Sequence, residues 1–138
     1  MAEEDDLGAL LARLTRRVID AERPLLAEQG LSMWGYIVLS HLARAPAGTQ
    51  LALATAIGYD KTRLIALLDG LEADGLITRT PDPADRRART VVLTAAGVAR
   101  HTAARRAIRA MEDELLADVS AAEATRLRRT LARLAGGS

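Results

Sequence analysis

Apolar positions recur along this chain at helical spacing, and the places where that spacing breaks divide it into elements. Leu7, Leu10, Leu11, Leu14, Val18, Ala21 and Leu25 follow the three-and-four spacing of one helical face. Glu3, Glu4, Asp5 and Asp6 precede that face, where acids interact favourably with the positive end of a helix dipole. Pro24 should kink this helix or restart it near its end, and Gly30 should cap it. Ser32 suits the N-cap of a second helix, 33 to about 44. Trp34, Ile37, Val38, Leu39 and Leu42 make that helix apolar over much of its circumference, so it should be buried on more than one side. Ala45-Pro46-Ala47-Gly48 then breaks the pattern.

Thr49 caps a short helix to about residue 57, with Leu51, Leu53, Ala54 and Ile57 expected inward. Gly58 provides the sharp turn into the most regular helix of the chain, 60–74. Leu64, Leu67, Leu68 and Leu71 form its apolar stripe. Thr62, Ala66, Asp69 and Ala73 project from the opposite side, flanked by Lys61, Arg63 and Ile65. Beyond Gly75 the residues become β-branched, and 76–80 and 89–93 read as two strands. The segment between them, 81–87, holds two prolines and reads as an exposed hairpin tip. Thr94 caps a long helix, about 95 to 119, carrying Val98, Ile108, Met111, Leu115 and Val119. Ser120-Ala121-Ala122-Glu123 is a full capping box opening a last helix with Leu127, Leu131 and Leu134, and Gly136-Gly137-Ser138 is a frayed end. The predicted fold is mainly α with a small β-hairpin wing, a winged helix-turn-helix in the order of four helices, two strands and two helices. It forms one domain over 1–138, with the winged core at about 32–94 and flanking helices at about 5–30 and 95–135.

Composition narrows the chemistry. Hydrophobic residues make up 49% of the chain but aromatics only 2%, so Leu, Ile, Val and Ala must build the core. The absence of cysteine removes disulfides, thiolate catalysis, cysteine metal sites and thiol redox sensing together. Two histidines without metal-ligand spacing predict no metal site, and no phosphate loop or nucleophile elbow appears; the chain should be neither an enzyme nor a cofactor protein. No signal peptide or apolar run of about twenty residues is present, so a cytoplasmic protein without membrane contact is expected.

The formal net charge is only +1, so any nucleic-acid partner must be met by locally concentrated charge. From Gly58 to Thr94 the six cations Lys61, Arg63, Arg79, Arg86, Arg87 and Arg89 equal the six anions Asp60, Asp69, Glu72, Asp74, Asp82 and Asp85. The cations gather at one helix start and on the wing, while Asp69, Glu72 and Asp74 lie at the far end. That asymmetry suits docking on DNA. A helix beginning Asp60-Lys61-Thr62-Arg63 can offer donors to base edges in a major groove, with Ile65 against a thymine methyl. Thr49 and Gln50 begin the preceding helix and belong to the same candidate surface, with Arg79, Arg86 and Arg89 of the wing. Arg87 at the narrow tip can enter a minor groove, and a bidentate pair with Asp85 would orient it. A solvated charged loop, in a helical dimer that uses the winged unit for protein contacts, is the alternative reading.

The stretch TQLALATAIGYDKTRLIALLDGLEADGLITRTPDPADRRARTVVLTAAG resembles the multiple-antibiotic-resistance-regulator (MarR) family of bacterial transcription factors. The helix pair, LEADGLI, the DPADRRAR wing and LTAAG carry the resemblance over about fifty residues, and LSMWGYIVLSHL extends it. It implies an obligate homodimer formed by the first helix and the last two, binding a pseudo-palindromic DNA operator. It also implies that Asp85 and Arg87 are the wing aspartate and minor-groove arginine, and that 60–63 open the base-reading helix. Ile65-Ala66 departs from the Thr-Arg that many members carry. Such regulators are usually repressors released by small aromatic or phenolic anions, or by oxidants acting on cysteine, a route closed here. For an effector the residues expected to meet it are Trp34, Ile37 and His41 on one face of the second helix, with Arg16 or Arg17 for a carboxylate. His101 is expected at solvent or an interface.

Overall fold

The computed structural model describes residues 5–44 and 48–136, so Glu3, Glu4, the Ala45-Pro46-Ala47 breaker and the last two residues lie outside the described residues. Among the described residues six helices and three short strands follow one another: α1 (Leu7–Glu28), α2 (Met33–Arg44), β1 (Gly48–Thr49), α3 (Gln50–Ile57), α4 (Lys61–Ala73), β2 (Ile77–Pro81), β3 (Arg89–Leu93), α5 (Ala95–Leu115) and α6 (Ala121–Leu134). The sheet is antiparallel with β3 in the middle and β2 on one edge. Thr49 faces Thr90 across β1 and β3, and Ile77, Arg79 and Pro81 face Leu93, Val91 and Arg89 across β2 and β3. The wing is therefore rooted in a third strand that the two-strand expectation lacked.

The core gathers Leu26, Val38, Leu39, Leu42, Leu53, Leu64, Leu68, Leu76, Ile77, Val91, Ala104 and Ile108 from the end of α1, α2, the pair α3 and α4, the sheet with the residue before it, and α5. α1 does not restart at Pro24. It continues to Glu28 because Leu26 is buried and its last turn is closed by Gly30 and Leu31, whose N–H groups donate to the Ala27 and Leu26 carbonyls. In α3 the inward face is Leu53, Ala54 and Ile57, while Leu51 is 59% exposed. Leu51 lies about 160° from Leu53 around the helix, so one face cannot bury both. In α4, Leu64, Leu68 and Leu71 are buried and Leu67 is half-buried.

α5 stops at Leu115, four residues short of the expected end. Ser120 must adopt an extended backbone (φ −68°, ψ 160°) to cap α6, so residues 116–119 form the turn that brings it there. Where the wing returns to α5, Thr94 donates its hydroxyl to the Gly75 carbonyl (2.6 Å) and its N–H to the Leu76 carbonyl (3.0 Å), and its oxygen accepts the Gly97 N–H (3.0 Å). Gly97 consequently lies against the backbone of Leu76, with no room for a Cβ.

Candidate nucleic-acid interface and adjoining cavities

The start of α4 is built by its cap. Asp60 is extended (φ −64°, ψ 131°), and its carboxylate accepts the Arg63 N–H at 2.9 Å. This leaves Lys61, Thr62 and Arg63 exposed on the first turn, with Ile65 37% exposed one turn on. Gly58 in the left-handed region (φ 67°) closes α3 and lets α4 leave at a sharp angle, with the Tyr59 N–H donating back to the Ala54 carbonyl. Thr49 caps α3 through the Ala52 N–H (3.1 Å) and is itself held in β1.

At the wing tip Asp82 accepts the Ala84 N–H (2.8 Å) and Asp85 accepts the Arg87 N–H (3.0 Å). Asp85 thus shapes the turn through the backbone of Arg87, where a carboxylate–guanidinium pair had been expected. No such side-chain pair occurs among the described residues. The turn leaves Arg86, Arg87 and Arg89 exposed. The expected surface residues Thr49, Gln50, Lys61, Asp85, Arg87 and Arg89 come together, with Leu51, Asp82 and Ala88, around one groove of about 370 Å³ between the two helix starts and the wing.

Arg79, also expected on that surface, turns inward. Its side chain is only 15% exposed, and its guanidinium donates to Asp69, Glu72 and Gln50. Burial alone would lower the Arg79 pKa, but the hydrogen bonds it donates to Glu72 and Asp69 outweigh it and raise the value; the Arg79 hydrogen bond holds Glu72 below the usual carboxylate range.

Two cavities adjoin the winged unit on its α5 side. The larger, about 810 Å³, has apolar walls from Leu42 of α2, Val92 and Leu93 of β3, and Val98 of α5, with Arg105, Arg106 and Arg109 along α5. The second, about 420 Å³, is polar and lies among Glu22, Tyr36, Ser40, Arg44, Glu112 and Arg128. Ala43, His101, Arg105 and Arg109 line both, so they form the partition. His101 is 8% exposed, within 3.0 Å of the Ser40 hydroxyl and stacked on Tyr36 at 5.5 Å between ring centroids. Burial depresses its pKa, and the Arg105 and Arg44 cations push it further down. Burial and the neighbouring Glu112 raise that of Glu22.

None of the five residues expected to meet an effector lines either cavity. Arg16 and Arg17 are exposed on α1, Ile37 and His41 are half-buried, and Trp34 stacks on Tyr59 at 4.2 Å, beside the start of α4. The helical rotation of α2 turns Tyr36, Ser40 and Ala43 toward α5, which leaves 34, 37 and 41 on other sides. His101 is an interior residue, not one at solvent, and the sequence signal for its face is the four-residue spacing that sets it in line with Arg105 and Arg109 on α5.

A capped helix pair, a strand-rooted wing and one groove joining them define a winged helix-turn-helix protein. A sequence model of the MarR family matches residues 29–88. The chain is similar to the transcriptional repressor CouR bound to a 23-mer DNA duplex, with 31% identity covering 94% of this chain and 92% of that one (TM-score 0.84). It is similar to a MarR-family transcriptional regulator from Rhodococcus sp. RHA1, with 30% identity, 95% and 93% coverage and a TM-score of 0.85. CouR from Rhodococcus jostii RHA1 bound to p-coumaroyl-CoA is 27% identical over 95% of this chain and 92% of that one (TM-score 0.79). The chain belongs to the MarR family of transcriptional regulators and is not an enzyme.

Proposed function

We propose that this chain is a homodimeric, DNA-binding transcriptional repressor, released when an aromatic effector enters the cavity beside α5. The observation that carries DNA binding is the groove that gathers Lys61, Arg87 and Arg89 with Thr49, the cap of α3. Helix α4 lies in the major groove, with Lys61, Thr62, Arg63 and Ile65 toward base edges, while Arg87 enters the minor groove and Arg86 and Arg89 meet phosphate. Asp60 and Asp85 act through backbone geometry, and Thr49 and Gln50 set the start of α3 against the DNA.

The whole chain works as one unit. Leu7 (67% exposed) and Leu11 on α1, with Leu127, Leu131 and Leu134 (71% exposed) on α6, present apolar side chains that the lone chain leaves uncovered. α6 has no buried residue at all. A second copy packed on α1, α5 and α6 covers these residues and sets two reading heads on a pseudo-palindromic operator. No helix among the described residues is long and apolar enough to cross a membrane, and we assign the protein to the cytoplasm, where its operator is.

The larger cavity suits an amphiphile: an apolar body against Leu42, Val92, Leu93 and Val98, and an anionic end at the arginines of α5. An aromatic acid or its coenzyme A thioester has that chemistry. Selection of bound fragments from genomic DNA, repeated in the presence of p-coumarate and p-coumaroyl-CoA, tests the reading. Enrichment of a pseudo-palindrome, lost with one of these compounds and weakening steeply with salt, is expected. Recovery of no common sequence defeats the repressor reading.

A further inference from the structure

The acids of α4 and the basic residue of β2 meet in an arrangement that the docking surface does not explain. β2 is the open edge of the sheet, and an edge strand carries backbone groups with no strand partner. At Arg79 that group is taken by α4: the Arg79 N–H donates to Glu72 Oε2 at 3.1 Å. The other oxygen of the same carboxylate, Oε1, accepts from Arg79 Nη2 at 3.0 Å. Glu72 therefore grips one residue at both its backbone and its side chain. Nη2 also donates to Asp69 Oδ1 at 2.5 Å, one turn earlier on α4, and Nη1 donates to Gln50 Oε1 at 3.2 Å on α3. A single guanidinium on the wing is tied to both helices of the helix-turn-helix.

Two properties separate this cluster from an ordinary surface ion pair. Arg79 is 15% exposed while Asp69 and Glu72 are 61% and 41% exposed, so the cation is enclosed and its carboxylate partners are wet. Wet carboxylates contribute little to global stability. The planar fork of the guanidinium, however, fixes direction as well as distance. The cluster also engages both donors of Nη2 and one of Nη1, drawing the guanidinium toward the helices and away from a phosphate.

We propose that Arg79 is a positioning residue that latches the wing to α4 and α3, so that the tip arginine and the recognition helix meet DNA as one rigid reader. The proposal rests on the DNA-binding reading for its consequence but not for its existence. Without the latch, β2 opens from β3 more often and the hairpin swings relative to α4, and Arg87 loses its fixed distance from Lys61 and Arg63.

The test compares the full-length parent with Arg79→Met, which keeps the apolar stem and removes the fork. In the free protein, hydrogen exchange of amides in residues 77–93 should quicken by about tenfold or more, with those of α2 unchanged; unaltered wing protection overturns the latch. On the duplex recovered from genomic selection, Arg87→Ala should weaken the parent by about tenfold. In the Arg79→Met background the same change should cost less than about twofold, because the tip is no longer held in place. Additive losses, with a salt slope shallower by about 0.9, would identify Arg79 as a phosphate contact and overturn the proposal. If Arg79→Met does not fold, Glu72→Gln keeps the arginine and removes the doubly engaged carboxylate; it should give the same wing exchange, and parent-like exchange overturns the proposal. A parent that binds no duplex refutes the DNA reading alone, since the exchange measurement still decides the latch.

Discussion

His101 on α5 and Ser40 on α2 meet through Nε2 and Oγ at 3.0 Å, in the partition between the two cavities. The ring is sealed by Tyr36 on one face and flanked by the Arg44 and Arg105 cations, so the folded protein disfavours the imidazolium. Its pKa lies below the ordinary value near 6.5, first through burial and then through these cations. The unfolded chain therefore takes up the proton first as pH falls. The contribution of His101 to stability is complete above about pH 6.5 and is lost as pH falls through the folded value. Urea midpoints measured from pH 8 to 5 should decline for the parent more than for His101→Gln. Parallel profiles would show that the ring is not sealed.

Gly97→Ala should destabilise the protein although alanine is the better helix former. The helix-propensity gain is about 0.5–1 kcal/mol. Against it, the new Cβ would overlap the backbone carbonyl of Leu76, which cannot rotate away because it accepts the Thr94 N–H. Overpacking against fixed backbone costs about 1–3 kcal/mol, so the steric term wins. A lower denaturation midpoint is expected, and an unchanged or raised one would mean that α5 can shift off β2.

What could be read from the sequence was mostly local. Thr49, Asp60, Thr94 and Ser120 each cap a helix by accepting an N–H three residues ahead, an interaction written in adjacent letters. The leucine stripe of α4 follows from period, and the two wing strands from β-branched residues on either side of a proline-rich tip. The rest depends on partners far away in the chain. β1 exists because Gly48 and Thr49 find Val91 and Thr90. Arg79 has a basic letter in a basic stretch, and only the fold brings Asp69, Glu72 and Gln50 around it. The lining of the cavities depended on the rotation of α2, and a helix apolar over much of its circumference gave no clear period by which to fix that rotation.

The α4 stripe is graded, and its mutations should be graded with it. Leu68 is fully buried, whereas Leu67 only packs against the core from its edge. Leu68→Ala should cost about 2–5 kcal/mol, since the cavity it leaves is enclosed on all sides. Leu67→Ala should cost clearly less, because solvent and neighbouring side chains can refill the space. Equal losses in chemical denaturation would show that α4 is rotated from the orientation described.

Leu131→Asp should convert a dimer to a monomer. Leu131 is 40% exposed on α6, between Leu127 and Leu134 on the same side of the helix, and the lone chain covers none of the three well. A charge there costs the single chain little but must be desolvated if a second copy packs on α6. Sedimentation should show half the parent mass with helical content retained, and operator affinity should fall because the two half-sites are no longer bound together. A variant that stays dimeric would place the interface elsewhere.

Arg87→Ala addresses the wing directly. Asp85 holds the backbone N–H of Arg87, so the turn survives when the guanidinium is removed, and the change tests contact without altering the tip. The loss in operator affinity should be about 1–3 kcal/mol, the range of one well-placed arginine contact. Asp85→Ala gives the converse: it leaves the guanidinium and releases the turn, so it should weaken binding through a less ordered tip. If Arg87 meets the negative potential of a narrow minor groove, substituting G·C pairs for A·T pairs under the wing should weaken the parent and leave Arg87→Ala nearly unaffected. Equal sensitivity of both proteins in a titration at fixed salt would mean that the wing contacts only phosphate, and that sequence is read by α4 alone.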